Sequence, residues 1–430
     1  MESRPIDDRG GLILDRIARF RNARFGLFIH WGSYSLQGFE ASWPLVRGGI
    51  SYADYHALAD RFNPQRYDPR AWAELAKAAG MRYAVFTSKH HDGYALFDTQ
   101  LSDYSAPTTA AGRDLLRPYV EAFRDAGLLV GLYFSLADWH HPDYPARIAD
   151  PRPRRQRPPQ GLPPNAPESI AADPARWDRY LEFMFGQVRE VLTNYGPIDL
   201  LWFDGQWEHT PEEWRSADLV RMIRELQPDI IINDRLADPL LGDYATPEQF
   251  VPVTSPDRPW ETCMTINETW AYNPSDRAYK PARELIATLA EVAAKGGNFL
   301  LNVGPTPDGE IPPEFASRLR VIGHWMERNG EAIFAAGNGL PLGAFYGPAT
   351  GGQEAIYLHV LGRPRGDVVG VRGLDRRVTD ARLLATGTPL EFEQHGGHLE
   401  RGHLRVHLPA AIDPHITVMK LTLEPREDSG

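Results

Sequence analysis

The feature that most constrains the fold is a regular alternation of apolar runs and amphipathic helical segments, which extends to about residue 335. The apolar runs are nearly continuous, as is typical of parallel strands covered on both faces. They are "RFGLFIHWG" (24–32), "YAVFTSKHHDG" (83–93), "LLVGLYFSLADW" (128–139), "IDLLWFDG" (198–205), "DIIINDR" (229–235) and "NFLLNVGP" (298–305). The stretch "WETCMTI" (260–266) is a candidate seventh strand, and no eighth strand is evident.

Helical periodicity fills the gaps between these runs. The clearest helix spans about 174–194, with one apolar stripe, Pro174 in its first turn and Gly196-Pro197 beyond its end. Stretches 68–80, 119–127 and 285–297 show the same stripe. Alternating strands and helices indicate an α/β fold built from βα units. No Gly-x-Gly-x-x-Gly turn follows the first strand, so we predict an irregular (β/α)8-like TIM barrel rather than a doubly wound sheet.

The pattern changes at about residue 341, where short strands separated by turns begin. This pattern is typical of a small β-sandwich. We therefore expect a catalytic barrel over residues 1–338 and a C-terminal β-sandwich over 339–430. Within the barrel, residues 142–167 are rich in proline and predict a long irregular loop after the third strand.

Polar and aromatic side chains collect where the predicted strands end. The candidates are His30, His90, His91, Tyr133, Trp202, Asp204 and Arg235. In a (β/α) barrel these ends lie on one face, which carries the active site. Trp202 and Asp204 are two residues apart and should point to the same side of their strand. His90 and His91 can face one pocket only if the strand bends, which nearby Gly93 permits.

Two kinds of chemistry suit this set of side chains. Metal-dependent hydrolysis could use the imidazoles and a carboxylate as ligands, but the chain lacks a His-x-His in the first strand and a His-Glu-x-x-His helix. Glycoside hydrolysis needs two carboxylates. Neutral imidazoles and an arginine would bind sugar hydroxyls, and tryptophans would stack on the ring. The second reading uses every member of the set and needs no metal.

Composition excludes several other classes. The net charge of -11 argues against a nucleic-acid footprint. Cys263 is the only cysteine, so no intrachain disulfide or multi-cysteine zinc site can form. The start "MESRPIDDRGG" lacks the pattern of a secretion signal, and no apolar run is long enough for a membrane span. We expect a cytoplasmic protein, whose oligomeric state stays open.

Five motifs resemble the α-L-fucosidases of glycoside hydrolase family 29. They are "RFGLFIHWGSYS", "KHHDGY", "LWFDG", "WETCMTINETWAY" and "KGGNFLLNVGPTPDGEIP", and they follow one another from about residue 20 to 315. The resemblance implies a catalytic (β/α) barrel with a C-terminal β-sandwich and no cofactor. It also implies retaining, exo-acting release of terminal α-L-fucose from oligosaccharides or glycoconjugates.

The resemblance also implies roles for single residues. Asp204 in "LWFDG" matches the nucleophile, and His30, His90 and His91 match residues that hold fucose hydroxyls. The remaining substrate-binding candidates on this basis are Tyr133, Trp202, Arg235 and Trp270, the last of them near the sugar methyl group.

The acid/base varies within the family. We favour Glu248 in "DYATPEQF", with Glu261 and Asp243 as alternatives. In the first loop, some family members carry a glutamate where this chain has Ser42, and Glu40 is the nearest acid. Two rival functions stay open on the sequence: a fucose-binding protein without catalysis, and a metal-dependent hydrolase on a similar barrel.

Overall fold

The computed structural model describes residues 10–47, 49–145, 167, 169–335, 337, 339–341, 343–374, 376–397 and 400–425. Residues 146–166, which are most of the predicted proline-rich loop 142–167, lie outside these residues. The described helices are α1 (Gly10–Ala23), α2 (Pro44–Arg47), α3 (Tyr52–His56), α4 (Pro69–Ala78), α5 (Leu116–Asp125), α6 (Pro174–Asn194), α7 (Ser216–Leu226), α8 (Ala282–Ala294) and α9 (Pro313–Phe334).

Seven parallel strands form the central sheet, and all seven coincide with predicted runs. They are β1 (Phe25–Ile29), β2 (Tyr83–Lys89), β3 (Leu129–Ser135), β4 (Leu200–Asp204), β5 (Ile231–Ile232), β6 (Glu261–Thr265) and β7 (Asn298–Val303). Their order is β5-β4-β3-β2-β1-β7-β6. Almost every residue of these strands is buried, which explains why their sequences read as continuous apolar runs. The TIM-like α/β fold predicted from the sequence is confirmed.

A short segment, residues 244–248, lies between the two edge strands β5 and β6. We call it the closing segment. It forms isolated parallel bridges with Asn233 on one side and with Trp260 and Cys263 on the other. The sheet therefore continues from β5 to β6 through this segment, which takes the eighth position that the sequence did not reveal. Glu248 is the last residue of the closing segment.

Two helices begin where their capping residues predict. The Asp68 carboxylate accepts hydrogen bonds from the first amides of α4, and Pro69 is its first residue. Asp173 caps α6 in the same way before Pro174. An acidic N-cap followed by proline satisfies amides that have no partner within the helix, so these starts could be read from the sequence.

Two antiparallel sheets form the C-terminal part of the chain. One has the order β10-β13-β12 and the other β11-β14-β9-β8. Their strands are β8 (Ala349–Gly351), β9 (Ala355–Val360), β10 (Val368–Val371), β11 (Val378–Leu383), β12 (Phe392–Gly397), β13 (Glu400–His407) and β14 (Thr417–Leu423). Residues from both sheets share one core, as in a β-sandwich. The boundary after residue 338 stays a prediction.

The sandwich packs against the long helix α9 of the barrel. Trp325 donates its indole N–H to the Ile416 carbonyl over 2.7 Å. Glu331 accepts hydrogen bonds from Tyr357 and Lys420 over 2.5 and 2.6 Å. These contacts lie on the outside of the barrel, so the sandwich supports the helical layer.

Candidate functional site

The carboxyl ends of the strands surround a cavity of about 240 Å³. Its lining residues are Phe28, His30, Trp43, His90, Tyr133, Trp202, Asp204, Trp207, Arg235, Glu248, Cys263 and Trp270. Eight of the nine candidate residues from the sequence line this cavity, and the ninth, His91, lies beside Asp204. The cavity is small and contains only a few charged groups, as expected of a site for one compact polar ligand.

Asp204 ends β4 and is held from three directions. Tyr133 donates its hydroxyl to Oδ2 over 3.0 Å, and Arg235 donates to Oδ1 over 2.9 Å. The Nε2 atom of His91 lies 3.7 Å from Oδ2. Burial by itself would raise the pKa of Asp204, but the charges of Arg235 and His91 and the hydrogen bonds from Arg235 and Tyr133 lower the pKa below its usual value. The carboxylate is therefore ionised near neutral pH.

Arg235 connects Asp204 to Glu248. While one guanidinium nitrogen binds Asp204, the other donates to Glu248 Oε2 over 2.7 Å. The Nε–H of Arg235 binds the Thr246 hydroxyl of the closing segment over 3.1 Å. The guanidinium also lies over the Trp202 ring, 4.5 Å from its centre. One fixed planar cation thus brings two carboxylates to the same cavity.

Two histidines line the cavity and a third, His91, lies beside Asp204, and each of the three has a partner at Nδ1. His30 contacts Asn302 over 2.7 Å, His91 contacts Ser135 over 2.6 Å, and His90 forms a short hydrogen bond with Ser42. Burial lowers the pKa of His30 to about 4 and that of His90 well below its usual value. These two rings are neutral near pH 7 and can bind hydroxyl groups. Asn302, a residue of β7, is therefore a partner of a site histidine.

A local distortion of β2 allows His90 and His91 to approach the same site. The register between β2 and β3 shifts between Thr87 and Lys89, just before the two histidines. Gly93 follows with φ +78, a left-handed conformation that favours glycine. The bend that the sequence required is therefore present.

The two alternative acids lie away from the cavity. Glu261 is fully buried below Trp202, whose indole N–H it accepts over 3.0 Å, and it also accepts the Tyr83 hydroxyl over 2.5 Å. Burial raises the pKa of Glu261 to about 7. Asp243 forms ion pairs with Arg16 and Arg224. Of the three candidates, only Glu248 lines the cavity.

The first loop, after β1, contains Ser42 and Glu40, and neither of them presents a carboxylate to the cavity. Ser42, where the resemblance implies a glutamate in some family members, binds His90 and accepts the Asp92 amide over 3.0 Å. Glu40 does not line the cavity; it accepts the backbone N–H of Trp270 through both oxygens, over 3.0 and 3.1 Å. Burial raises the pKa of Glu40 to about 7. These hydrogen bonds hold the backbone of Trp270, whose ring lies beside His30.

Sequence reasoning did not assign four residues that line the cavity: Phe28, Trp43, Trp207 and Cys263. Trp43 and Trp207 come from the loops after β1 and β4, and their rings stack with an interplanar angle of 13°. Each of these tryptophans lies in a loop that follows a strand end, and this position in the sequence could have identified both as cavity residues. Cys263, the only cysteine of the chain, is a buried residue of β6, and no pattern in the sequence assigns it to the site.

The described part of the chain lacks two other features. Across it, no three or more His, Cys, Asp or Glu side chains are grouped so that they could share a metal ion. None of the helices described has the length and apolar composition that a membrane crossing needs.

Comparison with known proteins places this arrangement in context. Residues 15–331 match the family model described as Alpha-L-fucosidase. Tissue alpha-L-fucosidase of Bos taurus is 32% identical over 348 residues, which are 74% of this chain and 69% of that protein. The structure of alpha-L-fucosidase isoenzyme 1 from Paenibacillus thiaminolyticus has a TM-score of 0.85 and 42% identity, covering 96% of this chain and 100% of that one.

A further solved structure concerns the reaction. It is a family 29 alpha-L-fucosidase from Bacteroides thetaiotaomicron, a trapped covalent intermediate in complex with 2-fluoro-fucosyl fluoride. That chain has a TM-score of 0.83 and 28% identity, with 99% of this chain and 98% of that chain covered.

Proposed function

This chain belongs to the alpha-L-fucosidase family, glycoside hydrolase family 29, and on that premise we propose that Asp204 and Glu248 carry out its reaction. The chain is a glycoside hydrolase that releases L-fucose with retention of anomeric configuration. The observation that carries the residue assignment is the Arg235 guanidinium, which binds both carboxylates at one cavity.

In the first step, the Asp204 carboxylate attacks the anomeric carbon of an α-L-fucoside. A bond forms between a carboxylate oxygen and this carbon while the bond to the leaving oxygen breaks, and protonated Glu248 donates its proton to that oxygen. The lowered pKa of Asp204 keeps the nucleophile ionised. In the second step, Glu248 takes a proton from water, which attacks the anomeric carbon and displaces Asp204.

The other cavity residues bind the sugar in this proposal. The neutral rings of His30 and His90 hydrogen-bond hydroxyl groups, and His91 and Tyr133 position Asp204 and a neighbouring hydroxyl. Trp202 forms the floor, and Trp270 lies 5.0 Å from His30, ring centre to ring centre, where it can contact the sugar methyl group. A cavity of about 240 Å³ suits a single terminal sugar, which favours exo action.

The substrates we propose are fucosylated oligosaccharides or glycoconjugates. The cytoplasmic location stays a prediction, which cell fractionation tests.

The decisive experiment measures aryl alcohol release from an aryl α-L-fucoside, with and without a chelator. We expect chelator-insensitive release that Asp204→Ala abolishes and that Glu284→Gln, an exposed carboxylate on α8, leaves unchanged. Loss of release with chelator would indicate a metal-dependent hydrolase. Fucose binding without release from any fucoside would indicate a binding protein.

The acid/base role has its own test. Glu248→Ala should reduce kcat/KM by on the order of 10²–10⁴-fold for poor leaving groups and much less for activated aryl groups, which need little protonation. Equal losses on both would refute the role. In a crystal structure with a bound fucoside, the two carboxyl groups should lie about 5–5.5 Å apart.

A further inference from the structure

His30 and His90 each present one ring nitrogen to the cavity. The Nδ1 atoms are occupied, by Asn302 at 2.7 Å for His30 and by the Ser42 hydroxyl for His90. The two rings line the same cavity, and their centres are 5.8 Å apart. Nε2 is therefore the atom of each ring that remains for a ligand.

The direction of the hydrogen bond at His30 follows from Asn302. Its amide nitrogen donates to the Trp270 carbonyl over 2.7 Å, and a carbonyl can only accept. The amide oxygen of Asn302 therefore faces His30 and can only accept as well, so His30 Nδ1 carries a hydrogen. The buried ring is neutral near pH 7. Its Nε2 atom then has no hydrogen and acts as an acceptor.

His90 has the opposite polarity. Ser42 is fully buried, and its hydroxyl oxygen accepts the Asp92 amide over 3.0 Å. Among the described residues, His90 Nδ1 is the acceptor within reach of the Ser42 hydroxyl hydrogen. Since buried hydroxyl groups keep their hydrogens bonded, Ser42 donates to Nδ1. Neutral His90 then carries its hydrogen on Nε2 and acts as a donor.

We propose that a single sugar hydroxyl, bound between His90 and His30, completes one continuous hydrogen-bond chain across the cavity. The hydroxyl accepts from His90 Nε2–H and donates to His30 Nε2. On one side the chain begins at the Asp92 amide and passes through Ser42. On the other side it passes through Asn302 and ends at the Trp270 carbonyl. All donors point the same way, so each bond polarises the next.

This arrangement makes Ser42 and Asn302 positioning residues that determine specificity. Only a group that accepts and donates at once completes the chain. A fluorine cannot donate, and a hydrogen can do neither. The identity of the sugar as fucose rests on the proposed function, whereas the hydrogen positions of the two rings do not.

The first test is a ¹H–¹⁵N correlation spectrum of the full-length protein labelled with ¹⁵N-histidine, without sugar. His30→Asn and His90→Asn variants identify the signals of the two rings by their loss. We expect His30 with its hydrogen on Nδ1 and His90 with its hydrogen on Nε2. The reverse tautomer at either ring would overturn the proposal, whatever the enzyme hydrolyses.

The second test uses aryl α-L-fucosides in which one hydroxyl at a time is replaced by hydrogen or by fluorine. At one ring position, both replacements should lower kcat/KM by on the order of 100-fold, because buried polar groups lose their partner. Ser42→Ala should reduce this penalty to less than about 10-fold, and Ser42→Thr, which keeps a hydroxyl, should restore it. Comparing variants with the same substrate cancels the inductive effect of fluorine.

The control is Ser317→Ala, an exposed serine on α9, which should keep the wild-type pattern. An equal penalty in Ser42→Ala and the wild type would refute the specificity role. If the wild type hydrolyses no fucoside at all, the proposed function fails, while the spectra still decide the tautomers.

Discussion

Gly205→Ala tests the packing of the turn that follows Asp204. Gly205 has φ +76, and a Cβ atom added there would lie 2.8 Å from the Ala137 nitrogen and 2.9 Å from Ser135 Oγ. A side chain in the left-handed region costs about 1–2 kcal/mol, and overpacking adds about 1–3 kcal/mol. We expect the variant to lower the free energy of unfolding by about 2–5 kcal/mol.

The turn at Gly205 also positions the site. Ser135 holds the ring of His91, and the Asp204 carbonyl accepts the Leu136 amide over 2.7 Å. A displaced segment 135–137 would move both His91 and Asp204. Since a misplacement of about 1 Å costs on the order of 10²-fold in rate, we expect kcat/KM of Gly205→Ala to fall by about that factor.

Gly127→Ala is the matched control. Gly127 has φ +79, and no heavy atom lies within 4 Å of an added Cβ. This variant pays only the cost of the left-handed conformation, about 1–2 kcal/mol, and should keep full activity.

Thermal unfolding and fucosidase kinetics measure the difference between the two variants. An unfolding entropy of about 2.1 cal/mol/K per residue over 430 residues makes 1 kcal/mol equivalent to about 1 °C in Tm. We expect Tm to fall by about 1–2 °C for Gly127→Ala and about 2–5 °C for Gly205→Ala. Equal Tm and equal activity in the two variants would refute the steric reasoning.

Three further predictions follow from single contacts. Replacing Arg235 by methionine should raise the pKa of Asp204, because the guanidinium charge lowers that pKa. The acidic limb of the pH profile of kcat/KM should then move to higher pH. A limb that does not move would contradict this prediction. Lys89→Met should reduce the free energy of unfolding by about 3–5 kcal/mol, because it removes the cation that pairs with the buried Asp138 carboxylate. Adding Asp138→Leu to this variant should recover part of the lost stability. Asp68→Ala should cost about 1 kcal/mol in urea denaturation, because two amides of α4 lose their cap, and a change near zero would show that water replaces it.

The barrel strands were predictable from the sequence because their burial is nearly complete. A parallel strand covered on both faces must be apolar at almost every position. It can therefore be recognised in the sequence without knowing which strands pair with it. The chemistry was predictable for a related reason. Polar side chains collect where the apolar runs end, so Asp204 and the histidines stood out, and the fold places all those ends on one face.

The closing segment shows where this reasoning stops. Residues 244–248 contribute isolated bridges rather than a continuous ladder, so they need no run of apolar residues and leave no strand pattern. Glu248 lies at the end of this segment, while Glu261 lies on a regular strand below Trp202. Both acids look alike in the sequence, and only the position of each backbone decides which of them reaches the cavity.

The sequence by itself determined the fold class, the family and the set of chemical groups at the strand ends, because these depend on local patterns and ordered motifs. Tertiary structure decided which groups meet. It brought Trp43 and Trp207 together from separate loops, and it placed Ser42 and Asn302 behind the histidines. Hydrogen bonds between residues far apart in the chain set the polarity of each imidazole, and no local pattern records such contacts.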